Sequence, residues 1–88
     1  MRCIEVIVKG KVQRVGFRYF VSRAAKELGI KGFVKNMPDG SVYILATAEE
    51  FAIDKFLSLL PTYKNAVVKK IEVREIQDLQ MFEKFEVR

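Results

Sequence analysis

Histidine and tryptophan are absent from this 88-residue chain, and cysteine occurs once, as Cys3. Without histidine, neither a Ser-His-Asp triad nor a Cys-His pair can be assembled. A zinc site of nitrogen and sulfur ligands is excluded on the same ground. A lone cysteine forms no intramolecular disulfide and fits a reducing, cytoplasmic setting. Any chemistry must therefore come from arginine, lysine, carboxylates, amides, hydroxyls, backbone groups and water. Long apolar runs are missing too. The stretch Cys3–Val8 is interrupted by Glu5 and followed by Lys9, so it has neither the length nor the cleavage site of a signal peptide. Nothing approaches the ~20 apolar residues of a membrane span. Linkers, low-complexity tracts and repeats are lacking as well. A single domain, residues 1–88, with no membrane partner is expected.

Half of the residues are hydrophobic and the formal net charge is +5. That charge fits an ordinary soluble surface, and equally an affinity for anions from phosphate to nucleic acid. Ile4, Val6 and Val8 alternate with Glu5, Ile7 and Lys9, a period-two pattern that predicts a first strand with one buried face. After a loop, Phe17, Phe20, Val21, Ala24, Ala25 and Leu28 recur at helical spacing, which predicts a helix over 17–28 closed by Gly29. Gly32–Asn36 and the alternating Val42, Ile44 and Ala46 predict a hairpin around the turn Met37-Pro38-Asp39-Gly40. Thr47 with Glu50 suggests a capping box. Ile53, Phe56, Leu57 and Leu60 form the stripe of a second helix ended by Pro61. Val67, Ile71 and Val73 mark a fourth strand, and Phe85 and Val87 a short last one. Phe17, Phe20, Phe51, Phe56, Phe82 and Phe85 are expected in the core, as is Cys3. The order is βαββαβ with a short extra C-terminal strand. That is an α+β, ferredoxin-like sandwich, an antiparallel sheet with both helices on one face.

Many functions use that fold, so the site must decide. Gly10-Lys11-Val12-Gln13-Arg14-Val15-Gly16-Phe17-Arg18 joins a strand to a helix start. First-turn amides have no intrahelical acceptor, and the helix dipole favours an anion there. A glycine-bearing loop can turn successive amides into one concavity for phosphate oxygens. Arg18 sits where the dipole disfavours a cation by ~0.3–1 kcal/mol, yet its fork suits two phosphate oxygens. A solvated surface arginine is the commoner fate of such a residue. The loop has neither Walker A nor Rossmann spacing. Asn36, at the end of the second strand, can accept from a water and donate to a neighbour. A turn asparagine bonding its own backbone before Pro38 is the plainer alternative.

Together the two segments resemble acylphosphatases. That family's first signature reads aliphatic-x-Gly-x-Val-Gln-Gly-Val-x-Phe-Arg, against Val8-Lys9-Gly10-Lys11-Val12-Gln13-Arg14-Val15-Gly16-Phe17-Arg18. Its second begins Gly-aromatic-Val-Lys-Asn and continues with Gly-x-Val, against Gly32-Phe33-Val34-Lys35-Asn36 and Gly40-Ser41-Val42. The resemblance implies hydrolysis of small-molecule acyl phosphates by a monomer, with no metal and no cofactor. It implies that Arg18 binds the substrate phosphate and that Asn36 orients the attacking water. It also implies that the amides of Gln13, Arg14, Val15, Gly16, Phe17 and Arg18 form the phosphate cradle. Two positions depart from the pattern: Arg14 and Ala48 stand where glycine is usual. If the cradle needs a left-handed residue at 14, arginine carries ~1–3 kcal/mol of strain. Alternatively, Gly16 makes the turn and Arg14 points outward or adds a second cation at the mouth. The loop is expected to keep its shape and activity to survive.

The chemistry suits the residues. An acyl phosphate releases a carboxylate, whose conjugate acid has a pKa of about 4, so a general acid is dispensable. The loose phosphoryl transition state asks for positioning and for stabilised equatorial oxygens. Between Val8 and Pro38 the only carboxylate is Glu27, so no nearby base is evident. Two alternatives use the same fold. One is a non-catalytic anion-binding module. The other is an RNA-binding module: Lys31-Gly32-Phe33-Val34 echoes an RNP1 string. That echo falls on the second strand rather than the third, the first strand has no aromatic residue, and the third offers only Tyr43. No nucleic-acid partner is expected.

Overall fold

Ile4, Val6 and Val8 are fully buried on a strand longer than their alternation marks out. The computed structural model describes residues 1–77 and 81–88. Strand β1 spans Arg2–Lys11, helix α1 Phe17–Glu27, β2 Lys31–Asn36, β3 Val42–Ala48, helix α2 Glu50–Leu59, β4 Val67–Glu75 and β5 Phe85–Val87. The expected element order is thus present. Helix α1 stops where the sequence places its end, with Leu28 as C-cap and Gly29 next. Helix α2 runs into a short 3-10 turn, Leu60–Thr62, that contains Pro61.

The sheet order is β4-β1-β3-β2-β5. Strand β1 lies in the interior, antiparallel to β3 (Ile4 beside Ala46, Val8 beside Val42) and to β4 (Val6 beside Val73, Val8 beside Ile71). The β2–β3 hairpin sets Lys35 beside Tyr43 and Asn36 beside Val42. Strand β5 departs from the antiparallel expectation: it lies parallel to β2, with Gly32 beside Phe85 and Val34 beside Val87. Direction explains this. Strand β4 opposes β1, and β2 runs with β1, so a strand that reverses β4 and reaches the far edge must run along β2. The sheet is therefore mixed.

Both helices cover one face. Phe17, Val21, Ala24 and Ala25 of α1, with Ala52, Ile53 and Phe56 of α2, pack on Ile4, Val6, Val8, Val34 and Ile44. Burying each large side chain contributes ~1.5–3 kcal/mol. Two expectations fail here. Thr47 still belongs to β3, and the N-cap of α2 is Glu49, which makes no side-chain cap bond. The capping box is therefore not formed, because β3 runs two residues past Ala46, the last residue of its alternation. Phe51 is 74% exposed, because α2 turns Ala52, Ile53 and Phe56 to the sheet and leaves position 51 outside that stripe.

On the opposite face, Cys3, Phe33 and Leu45 are buried beneath Ile76 and Phe82. Cys3 thus fills a strand position, as expected. The edge of the Phe33 ring meets Phe82, centroids 5.9 Å apart, and the Arg88 guanidinium lies 4.0 Å above it. With 9% of Phe33 accessible, that ring offers little surface on which a base could stack. Tyr43 donates to Glu5 Oε2 at 2.6 Å, and Arg74 Nε lies 3.2 Å from Glu5 Oε1.

Two outcomes follow from this packing. Gly32 has φ 141°, and a Cβ there would lie 1.9 Å from the Leu45 carbonyl oxygen. Gly32→Ala is expected to cost at least ~3 kcal/mol in urea unfolding; a loss under ~1 kcal/mol would mean that β2 and β3 are not this close. Burial, then the bond to Glu5, pushes the Tyr43 hydroxyl up to about 12, against about 10 in the unfolded chain. Its contribution to stability is therefore complete below pH ~10 and is lost as pH rises toward 12. Tyrosinate absorbance should show a transition near 12 that disappears in Tyr43→Phe; a titration unaltered by that substitution contradicts the assignment.

Candidate active site

The register of β1 breaks between Lys9 and Gly10, and beyond Lys11 the chain leaves the sheet. Val12 turns inward and is 1% exposed. The next residues cannot continue a strand, because two of them take left-handed backbone: Arg14 at φ 63° and Gly16 at φ 82°. Gly16 is the N-cap of α1 and makes no side-chain cap bond. Among the described residues, the amides of Gln13, Arg14, Val15, Gly16, Phe17 and Arg18 have no main-chain acceptor. The first turn of α1 holds no acidic residue, so nothing in the helix itself answers its positive end.

Arg14, Gly16, Phe17 and Arg18 line a cavity of about 210 Å³ together with Tyr19 and Asn36. That is below the ~300–1,000 Å³ of drug-sized sites, and it suits a small ligand. Among the described residues, no Asp or Glu lines it. Asn36 reaches it from the end of β2, and its Oδ1 is buried with no hydrogen-bond partner among the described residues. An acceptor left so costs ~1–3 kcal/mol unless something else donates to it. Of the residues the sequence singled out, Arg14, Gly16, Phe17, Arg18 and Asn36 therefore lie on one cavity, and Gln13 and Val15 are not in its lining. For Arg14, the left-handed backbone falls on the arginine as well as on Gly16.

Three supports were not legible in the sequence. Arg18 Nη1 donates to the main-chain oxygen of Arg88 at 2.7 Å. Arg88 is held in turn by its own amide, 2.8 Å from the Val34 oxygen. Tyr63, past α2, donates to the Val15 oxygen at 2.7 Å and stacks on Phe20 with centroids 4.8 Å apart. A Cβ on Gly16 would lie 2.7 Å from the Tyr63 hydroxyl, so the tyrosine closes that position to larger residues as well. Gln13 Nε2 donates to the oxygens of Met37 and Ser41, each at 2.8 Å. One side chain therefore joins the loop to the turn that follows Asn36. Asp39 tightens the same turn by accepting from the Ser41 hydroxyl at 2.6 Å and its amide at 2.9 Å. These bonds, the hydroxyl's first, hold the Asp39 carboxyl below the ordinary carboxylate range. Among the described residues, no three His, Cys, Asp or Glu side chains cluster as a metal site.

The sequence model of the acylphosphatases matches residues 4–87. The chain belongs to the acylphosphatase family. It is 51% identical to an acylphosphatase of Archaeoglobus fulgidus, over 99% of this chain and 98% of that one. It is 48% identical to one from Oceanobacillus iheyensis, over 100% and 99%. The crystal structure of acylphosphatase from Bacillus subtilis superposes with a TM-score of 0.96 at 37% identity, covering 100% of this chain and 99% of that chain. An enzyme of the acylphosphatase kind is therefore the identity that fold and sequence share.

Gln13→Leu removes both bonds across the acylphosphatase loop and strands two carbonyls. It is expected to cost ~1–3 kcal/mol and to speed amide exchange at Met37 and Gly40. Unchanged exchange at both amides would show that Gln13 does not hold the turn.

Proposed function

We propose that this protein hydrolyses acyl phosphates, with Arg18 and the amides of residues 13–18 holding the phosphate and Asn36 placing the attacking water. The observation that carries this is the buried, unpartnered Asn36 Oδ1 in the cavity that also holds Arg18. An acceptor there suits one proton of a water and leaves the water oxygen's lone pair toward phosphorus. The bond to Arg88 holds one guanidinium nitrogen, and the rest of the fork remains for two phosphate oxygens. The loop amides answer the third.

In the reaction, the water oxygen forms a bond to phosphorus in line with the bridging oxygen. The bond from phosphorus to that oxygen breaks, and its electron pair leaves with the carboxylate. The acyl phosphate dianion and water become a carboxylate and dihydrogen phosphate. One proton of the water passes to a phosphate oxygen, since among the described residues no Asp or Glu lines the cavity to take it. An alkoxide leaving group would need an acid that the cavity does not offer, which supports acyl phosphates over phosphomonoesters. Positioning and oxygen stabilisation each suffice for several kcal/mol of the barrier.

We extend the proposal to one acylphosphatase-like domain over residues 1–88, acting as a cytoplasmic monomer on a small molecule. It includes no metal, cofactor, nucleic-acid or membrane partner. The small cavity and the family membership support this. Among the described residues no helix is long and apolar enough to cross a membrane.

Phosphate release from benzoyl phosphate in the presence of EDTA tests the proposal. Activity is expected in the parent, with kcat lower by ~10²–10³ in Arg18→Ala and in Asn36→Ala. Full activity in both variants would overturn the site assignment, and equal rates on benzoyl and alkyl phosphates would overturn the substrate class.

A further inference from the structure

Arg18, the amides and Asn36 meet the needs of the phosphoryl group, which leaves Arg14 unexplained. Its backbone is left-handed at φ 63°, a conformation that glycine adopts freely and arginine does not. Arg14 is among the residues that line the same cavity as Arg18. No hydrogen bond or ion pair engages it among the described residues. It is exposed, whereas Arg18 is half-buried, so Arg14 stands on the solvent side of the site. Arg14 and Tyr19, the latter 65% exposed, carry the exposed side chains of this lining, so an acyl group that extends from a phosphate at Arg18 to solvent would pass them. Among the described residues, no Asp or Glu of the lining offsets the Arg14 charge.

We propose that Arg14 sets the acyl-group preference of this enzyme, favouring acyl phosphates whose acyl portion carries a second negative charge. The inference rests on acyl phosphate hydrolysis as proposed above. The guanidinium acts as a specificity residue: the phosphate end of every substrate is held alike, and only an anionic acyl group gains from the outer cation. A carboxylate about 6 Å from it, at an effective dielectric constant of about 40, gains roughly tenfold in kcat/KM.

The test compares kcat/KM for 4-carboxybenzoyl phosphate and 4-methylbenzoyl phosphate in the parent, Arg14→Gly and Arg14→Lys. Neither substrate cyclises, and the intrinsic difference between their leaving groups cancels when the ratio is compared across variants. Arg14→Gly also frees the backbone at position 14, so the loop is not strained by the change. The carboxylate-to-methyl ratio is expected to fall about tenfold in Arg14→Gly and to be largely kept in Arg14→Lys. In the parent it should fall as salt is raised to about 0.5 M. An equal loss on both substrates would place Arg14 on the phosphoryl group and overturn the inference, as would an unchanged ratio. Absence of hydrolysis of either substrate by the parent would overturn acyl phosphate hydrolysis itself, and the inference with it.

Discussion

Backbone amides without an acceptor are the constraint around which this small protein is organised. Between Gln13 and Arg18 the chain passes through two left-handed residues, and no carbonyl of the described residues answers the amides there. A helix start always leaves such groups over. Here the preceding strand, β1, is fixed in the sheet interior by β3 on one side and β4 on the other. The loop therefore leaves a rigid platform at a set place. Tyr63 and Gln13 then hold it from opposite directions, one from beyond α2 and one toward the β2–β3 turn. In the function proposed above, a substrate phosphate would complete the hydrogen bonding that the described residues leave open.

The sequence displayed most of this architecture because short-range periodicity and local turn chemistry dominate it. The alternation of Ile4, Val6 and Val8, the stripe Phe17–Val21–Ala24 and the turn at Pro38-Asp39-Gly40 all report residues within a few positions of each other. What stayed hidden depends on distant partners. The parallel seat of β5 follows from the path of the whole sheet. The exposure of Phe51 depends on how α2 is rotated against the sheet, a choice made by Ile53 and Phe56 together. The capping box failed because pairing with β1 keeps Thr47 in β3, a tertiary demand that overrides a local motif.

The site shows the same division. Gly16, Arg18 and Asn36 are legible because helix starts, glycine and strand ends have local signatures. Gln13 was legible as a loop member but not as a side chain bridging 24 residues to Met37 and 28 to Ser41. Tyr63 lies 48 residues from Val15, and no pattern in the sequence links them. Arg14 was legible as an exception, and the structure turns the exception into geometry: the left-handed backbone falls on the arginine itself, an exposed residue of the cavity lining.

The seat of Arg18 has an evolutionary side. Its acceptor is a main-chain oxygen of Arg88, and every residue type carries that oxygen. The identity of residue 88 can therefore drift while the bond persists. The selectable side-chain property at 88 lies elsewhere, in the guanidinium resting on Phe33. Genetic change reaches the Arg18 seat through the path of the backbone, by insertions, deletions or loss of β5, far more readily than through the spelling of one codon.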